Sequence, residues 1–345
     1  MNKIIKRSVL QAGIIAIAMA GTTVTVAPAA DAYVFDAVKF QKGLVPDTRQ
    51  APFSAVVFLL NTETGESGSG VLIGPDTVLT AAHVVLEDRE NARPEDWPTR
   101  MVNPNNLSVR PAYGGATGAT AERYPFGHHY RGAAISIPPQ YFRTALQPQA
   151  PGADPGDYDF AIIHLNRPVR DAEPLALGEL RQADARRELI SVASFPGALG
   201  PGHDGEPENS NDNMYVDSGH ADSISDHQIM TTSVNWSHGS SGGPVLNQQN
   251  QVVDVVSSSN AHGNFASRID ANMNCWIQEA MADVSLMLTN ENVRGRWVDF
   301  GKEKVYFDDS GAATEAMALE PSNLGVLDLS IPGTSGNGSK GHDEL

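Results

Sequence analysis

Cysteine is almost missing. Cys275 is the only one in 345 residues, so no disulfide can form within the chain. A fold without staples has to be held by a large apolar core, and Cys275 itself is expected to be a buried apolar filler in that core. Basic residues are scarce as well. The 24 Lys and Arg stand against 41 Asp and Glu, a formal charge of −17. With no Lys/Arg cluster, the chain has no footprint for nucleic acid or for anionic lipid. Past the N-terminus no stretch approaches the ~20 apolar residues of a membrane-crossing helix, and no membrane anchor is expected. Metal-ligand patterns are missing too. His128 and His129 are adjacent rather than spaced at i, i+4, with no Cys or Glu at ligand spacing. The oxygen-rich "HDGEPENSNDN" lacks the D-x-D-x-D-G order of a calcium loop. No metal and no cofactor are expected. The 41% hydrophobic share and 19% charge exclude global disorder.

The N-terminus is informative. "MNKIIKR" carries three basic residues, "SVLQAGIIAIAMAG" follows as an apolar stretch, and "TTVTVAPAADA" ends in small residues. These are the three regions of a secretory signal. Cleavage after Ala32 fits an A-x-A site, with Ala27-Pro28-Ala29 as the alternative. Residues 1–32 are therefore read as a signal peptide and residues 33–48 as a propeptide or N-terminal arm. An exported chain with one cysteine points to a secreted or periplasmic bacterial protein. The closing "HDEL" matches an ER-lumen address and keeps that location as an alternative. A glycan on the sequon Asn235-Trp236-Ser237 counts against it, since it would fill the substrate pocket inferred below.

From Ala51 the texture is that of short strands. "FSAVVFLL", "SGVLIG", "TVLTAAHVVL", "FAIIHL", "LISVASF", "QIMTTSV", "PVLN" and "VVDVVSS" are β-branched or apolar runs of barrel or sandwich length, separated by turn residues. Residues 90–156 and "GALGPGHDGEPENSNDN" read as long polar loops. "ANMNCWIQEAMADVSLML" has helical spacing. Residues 286–345 read as an acidic C-terminal extension, partly disordered.

Three stretches carry chemistry. "GSSGGP" (239–244) is a glycine-rich turn that can expose a serine hydroxyl and aim backbone N–H groups at a developing oxyanion. "TAAH" (80–83) places His83 directly after a strand. "DFAI" (159–162) places Asp159 at the start of one, with Asp157 as a rival acid. A serine needs such a base, and the base needs such an acid. "GSSGG" also fits the G-x-S-x-G elbow of an esterase-type hydrolase, but that fold requires the order Ser, acid, His. Here the order is His83, Asp159, Ser241.

These motifs, in this order, resemble the trypsin-like (chymotrypsin-fold) serine peptidases. They are most similar to the bacterial exported members of glutamyl endopeptidase type, over about residues 50–275. The resemblance implies an all-β fold of two packed antiparallel six-stranded β-barrels, about 45–168 and 169–275, with a C-terminal helix, inside a peptidase domain at 49–285. It implies a secreted, monomeric serine endopeptidase acting on protein or peptide. Ser241 would be the nucleophile, His83 the base and Asp159 the orienting acid, with Gly239 and Ser241 supplying the oxyanion hole. Asn235, Ser257, Ser259 and Gly263 would form the primary substrate pocket. All are uncharged, and Val256 stands where glutamyl-specific relatives carry histidine, so a neutral, moderately open pocket is expected. Trp236 and His238 would line it, or Trp236 would be core. Ser240 stands where animal relatives carry the aspartate that pairs with a freed N-terminus, so activation would take another route. A catalytically silent protease fold kept as a binding module and an esterase-type hydrolase remain the alternative functions.

Overall fold

The repeated β-branched runs build two sheets, because each offers one face of small or branched side chains that can be buried against the other strands. The computed structural model describes residues 39, 43–87, 100–116, 119–146, 154–197, 212–282, 287–299, 303–307, 309 and 313–318. Residues 1–32, expected to be a signal peptide, the "ALGPGHDGEPENSN" stretch and the HDEL end lie outside the described residues.

The first sheet contains β1 (Val56–Asn61), β2 (Ser67–Gly74) and β3 (Thr77–Thr80). A short pair follows, β4 (Leu86–Glu87) and β5 (Arg100–Met101). Then come β6 (Leu107–Pro111), β7 (Tyr130–Ser136) and β8 (Ala161–Leu165). Six of these close into an antiparallel barrel in the order β1-β2-β3-β8-β7-β6. Val57, Leu59, Val71, Leu79, Val109, Ile135 and Ile163 fill it. Residues 90–156, expected to be a polar insertion, supply two of the six strands as well as α1 (Thr120–Arg123) and α2 (Pro139–Leu146). The reason is legible afterwards. β6 alternates buried and half-buried residues, with too few apolar residues to stand out, and β7 is interrupted by a register shift between Gly132 and Ala134.

The second sheet holds β9 (Leu189–Ser194), β10 (Tyr215–His220), β11 (Ser223–Ile224), β12 (Gln228–Thr231), β13 (Pro244–Leu246), β14 (Val252–Asn260) and β15 (Gly263–Arg268). Its order is β10-β9-β13-β14-β15-β12-β11. The expected closed barrel is thus a curled seven-stranded sheet, with no ladder between β10 and β11. Those two edge strands are separated only by Ala221 and Asp222, so one bent strand supplies both edges. The Thr231 hydroxyl donates to His220 O at 2.7 Å across the gap. Val45, Val56, Phe58, Tyr113, Phe195 and Met214 form a separate cluster joining residues of both sheets. Part of the predicted N-terminal arm belongs here. Val45 N donates to Met214 O at 2.9 Å and Val216 N to Gly43 O at 2.8 Å.

Helix α3 (Ala271–Ala282) follows, capped by Asp270, whose Oδ1 accepts from Met273 N at 2.7 Å. It buries Met273, Ile277 and Ala280, at i, i+4 and i+7. Cys275 falls on the opposite face and is exposed, so it is not the core filler expected of it. The described part of the C-terminal extension holds α4 (Asn290–Val293) and a three-stranded sheet, β16 (Arg296–Asp299), β17 (Glu303–Phe307) and β18 (Ala313–Ala318). Leu288, Val293, Val305, Phe307 and Ala313 join the core of the first barrel, where Phe307 meets Phe142 edge-on at 5.4 Å.

One core residue is out of place. Asp254 on β14 is fully buried, and neither carboxylate oxygen has a partner among the described residues. Burial pushes its carboxyl well above the ordinary value, against the pull of the Arg268 charge. The fold therefore holds a proton that the unfolded chain releases above its ordinary 3.8, and stability falls as pH rises through that window. Asp254→Asn is expected to melt higher than wild type near neutral pH, by about 2–4 °C per kcal/mol gained. At pH 3 the advantage should vanish. Thermal melts at both pH values check this, and equal melting at neutral pH would refute it.

Candidate active site

The acid is set by a turn. Residues Pro155–Tyr158 form one 3-10 turn whose start is capped by Asp154, with Gly156 N donating to its Oδ1 at 2.9 Å. Asp159 follows and is 3% exposed. Its Oδ1 accepts from His83 N at 3.0 Å, and its Oδ2 lies 2.7 Å from His83 Nδ1. The Ser257 hydroxyl, on β14 of the second sheet, donates to Oδ2 at 2.6 Å. Burial raises the Asp159 pKa, but the facing His83 charge and these hydrogen bonds outweigh it. The carboxyl lies below its ordinary value. An ionised Asp159 needs a proton on Nδ1, which leaves Nε2 of a neutral imidazole as the acceptor. The rival Asp157 faces elsewhere, taking a hydrogen bond from Gln228 Nε2 at 2.9 Å, and burial raises its pKa.

The acid turn is gripped from the second sheet. The Tyr158 hydroxyl lies 3.2 Å from His227 Nε2, whose Nδ1 lies 3.2 Å from Asp270, the cap of α3. Ser267 donates to Gly156 O. Sequence reasoning missed His227, Ser267 and Gln228, because partners 69 to 111 residues apart leave no local motif.

Ser241 sits in a strained turn. Gly239 and Gly242 have φ of +84° and +81°, the region where side chains are disfavoured. A Cβ on Gly242 would strike Thr80 Oγ1 and Ser69 O. The carbonyl of His238 accepts from Gly197 N at 2.7 Å. In a planar trans peptide the N–H of Gly239 then points the opposite way. Neither that N–H nor the one of Ser241 has an acceptor among the described residues. The turn is anchored by hydroxyls. Buried Ser240 accepts from Ser194 Oγ at 2.9 Å and from Ser237 N at 3.3 Å. Ser69 of β2 donates its hydroxyl to Gly239 O at 2.9 Å and its N–H to Ser241 O at 2.8 Å. His83, Gly239 and Ser241 line one cavity.

Residues 68–254 match the family model of the trypsin-like peptidase domain, just over half of the chain. The chain belongs to the trypsin-like peptidases. A solved structure described as a Glu endopeptidase in complex with MPD aligns with a TM-score of 0.52 at 20% identity, over 70% of this chain and 96% of that one. At that identity the likeness speaks for the chymotrypsin-like fold. No curated protein matches the chain.

In this trypsin-like peptidase the residues expected in the primary pocket are themselves held in place, three of them by side-chain hydrogen bonds. Asn235 is 2% exposed, and both its backbone N–H and its Nδ2 donate to Asp217 Oδ2, at 2.8 and 2.7 Å. Ser257 holds the acid. Ser259 donates to Asn264 Oδ1 at 2.7 Å, and Gly263 is buried. Trp236 belongs to the core of the second sheet, as the second of the two expectations for it had it.

Asp217 is itself anchored. It is buried, and Lys39 of the N-terminal arm pairs with its Oδ1 at 2.9 Å while donating to Ser218 O at 2.9 Å and to Ser233 O. Lys39 thus ties the arm to the carboxylate that holds Asn235. Lys39→Met would strand a buried charge, a large cost for a closed pair and smaller here because Lys39 is 40% exposed. A loss of roughly 1–3 kcal/mol is expected in urea denaturation, partly recovered when Asp217→Asn is added. An unchanged midpoint would show the pair to be a surface contact.

Proposed function

We propose that this protein is an exported serine endopeptidase working through His83, Asp159 and Ser241 and an acyl-enzyme intermediate. The observation that carries the reading is the His83–Asp159 pair at 2.7 Å, sharing one cavity with Ser241. Ser241 Oγ attacks the scissile carbonyl while its proton passes to His83 Nε2. The tetrahedral oxyanion is met by the N–H groups of Gly239 and Ser241. Collapse breaks the C–N bond, and His83 returns the proton to the departing amine. Water, deprotonated by the same imidazole, then releases the acid and restores the hydroxyl. Asp159 keeps the imidazole in its Nδ1–H tautomer and steadies the imidazolium. Its depressed pKa keeps it ionised beside the imidazole. Export is supported by the charge, apolar and small-residue pattern of residues 1–32, and a protein or peptide substrate by the family.

A fluorophosphonate probe is expected to label the protein at Ser241. Ser241→Ala should abolish labelling and peptide cleavage together, and Asp159→Asn should cost about 10⁴ in kcat. Labelling that survives Ser241→Ala would overturn the assignment. A probe-labelled protein that turns over esters but no peptide would make it an esterase.

A further inference from the structure

The cavity beside Ser241 has a volume of about 330 Å³, and none of Asn235, Ser257, Ser259 and Gly263 lines it. It lies on the other side of the nucleophile, and the first barrel builds most of it. Leu59 of β1, Leu86 of β4 and Leu107 of β6 give it an apolar floor, each at most 4% exposed. His83, the group that hands its proton to the departing amine, forms its boundary with the reacting centre. A polypeptide whose acyl half lies along β14 therefore carries its leaving half over this cavity.

The β1–β2 hairpin brings two polar side chains to it, Asn61 and Glu66. Asn61 is 4% exposed. Its Oδ1 accepts from Glu63 N at 3.0 Å, which settles which end of the amide is the donor. Its Nδ2 is buried and has no acceptor among the described residues. A buried donor left open is unfavourable unless something completes it. Glu66 contributes a carboxylate, of which Oε2 accepts from Thr64 Oγ at 2.9 Å. The cavity thus combines an apolar floor with one unanswered donor and one anionic acceptor.

On the acyl side an indole joins two segments. The Trp236 indole N–H donates to Ser258 O at 3.1 Å, so the ring, 2% exposed, bridges the segment before the nucleophile and the β14 wall.

We propose that this peptidase selects its substrates mainly on the leaving-group side. The cavity takes a tyrosine within the first two residues after the scissile bond. The ring lies on the three leucines, and the hydroxyl accepts from Asn61 Nδ2 and donates to Glu66. Trp236 limits the residue before the bond to small side chains. The inference rests on the serine-endopeptidase reading above.

The test uses the full chain and a peptide library varied at two positions on each side of the bond, with cleavage sites read by mass spectrometry. Tyrosine is expected over phenylalanine on the leaving side by at least about tenfold in kcat/KM. Small residues are expected before the bond. Asn61→Asp keeps the acceptor for Glu63 N but removes the donor. Because Glu66 still accepts from the hydroxyl, the substitution is expected to lower the tyrosine-to-phenylalanine ratio about threefold or more rather than abolish it. Trp236→Ala is expected to admit large residues before the bond, and if it does not fold, the Asn61→Asp ratio decides alone. Selection confined to the residue before the bond would overturn the proposal. So would a leaving-side preference for Arg or Lys, which would assign the cavity to Glu66 alone. Fluorophosphonate labelling separates the two levels. A labelled enzyme without leaving-side preference overturns only this inference, and a chain neither labelled nor cleaving overturns both.

Discussion

The arrangement depends on one buried carboxylate. Asp159 stands two residues before β8 of the first barrel, yet one of its three hydrogen bonds comes from Ser257 of the second sheet. A charge in a desolvated site is tolerable only when its acceptor positions are filled. Both sheets therefore have to be in place before Asp159 can stay ionised and hold the imidazole. The joint that satisfies this carboxylate also brings His83 of the first barrel and Ser241 of the second half to one cavity.

The same crossing recurs at the nucleophile. Ser69 on β2 is fully buried. It grips the serine turn through its hydroxyl and its N–H, and its Oγ also accepts from Phe195 N at 2.9 Å. The buried Ser194–Ser240 hydroxyl pair holds the turn from the second sheet. Two neutral hydroxyls need no new terminus to find each other. The N-terminal arm reaches the segment before this turn through Lys39, Asp217 and Asn235.

A chain with a single, exposed cysteine has no covalent means of holding two sheets together. Its substitute is additional packed surface. Residues 43–45 pair with the start of β10, and the strands after α4 lay Val305, Phe307 and Ala313 against the first barrel. Each buried side chain of the size of valine or phenylalanine contributes about 1.5–3 kcal/mol. A few of them rival the effect of a disulfide.

Local chemistry was legible in the sequence. A glycine turn around Ser241, a histidine after a strand and an aspartate before one each carry their own pattern, because backbone conformation and burial act over a few residues. Strands with continuous apolar runs, such as β1, β8 and β14, were legible for the same reason. β6 and the C-terminal sheet were not, since their few apolar residues stand among polar ones and become a face only in the assembled fold, and β7 is broken by the register shift between Gly132 and Ala134. The partners of Asn235, the indole bridge of Trp236, the open donor of Asn61 and the exposure of Cys275 were decided by tertiary structure alone. Each is a question of which distant atom occupies the space beside a polar group or a helix face. Burial and direction are properties of the assembled sheets, and residues brought together from opposite ends of the chain leave no periodic trace in its order.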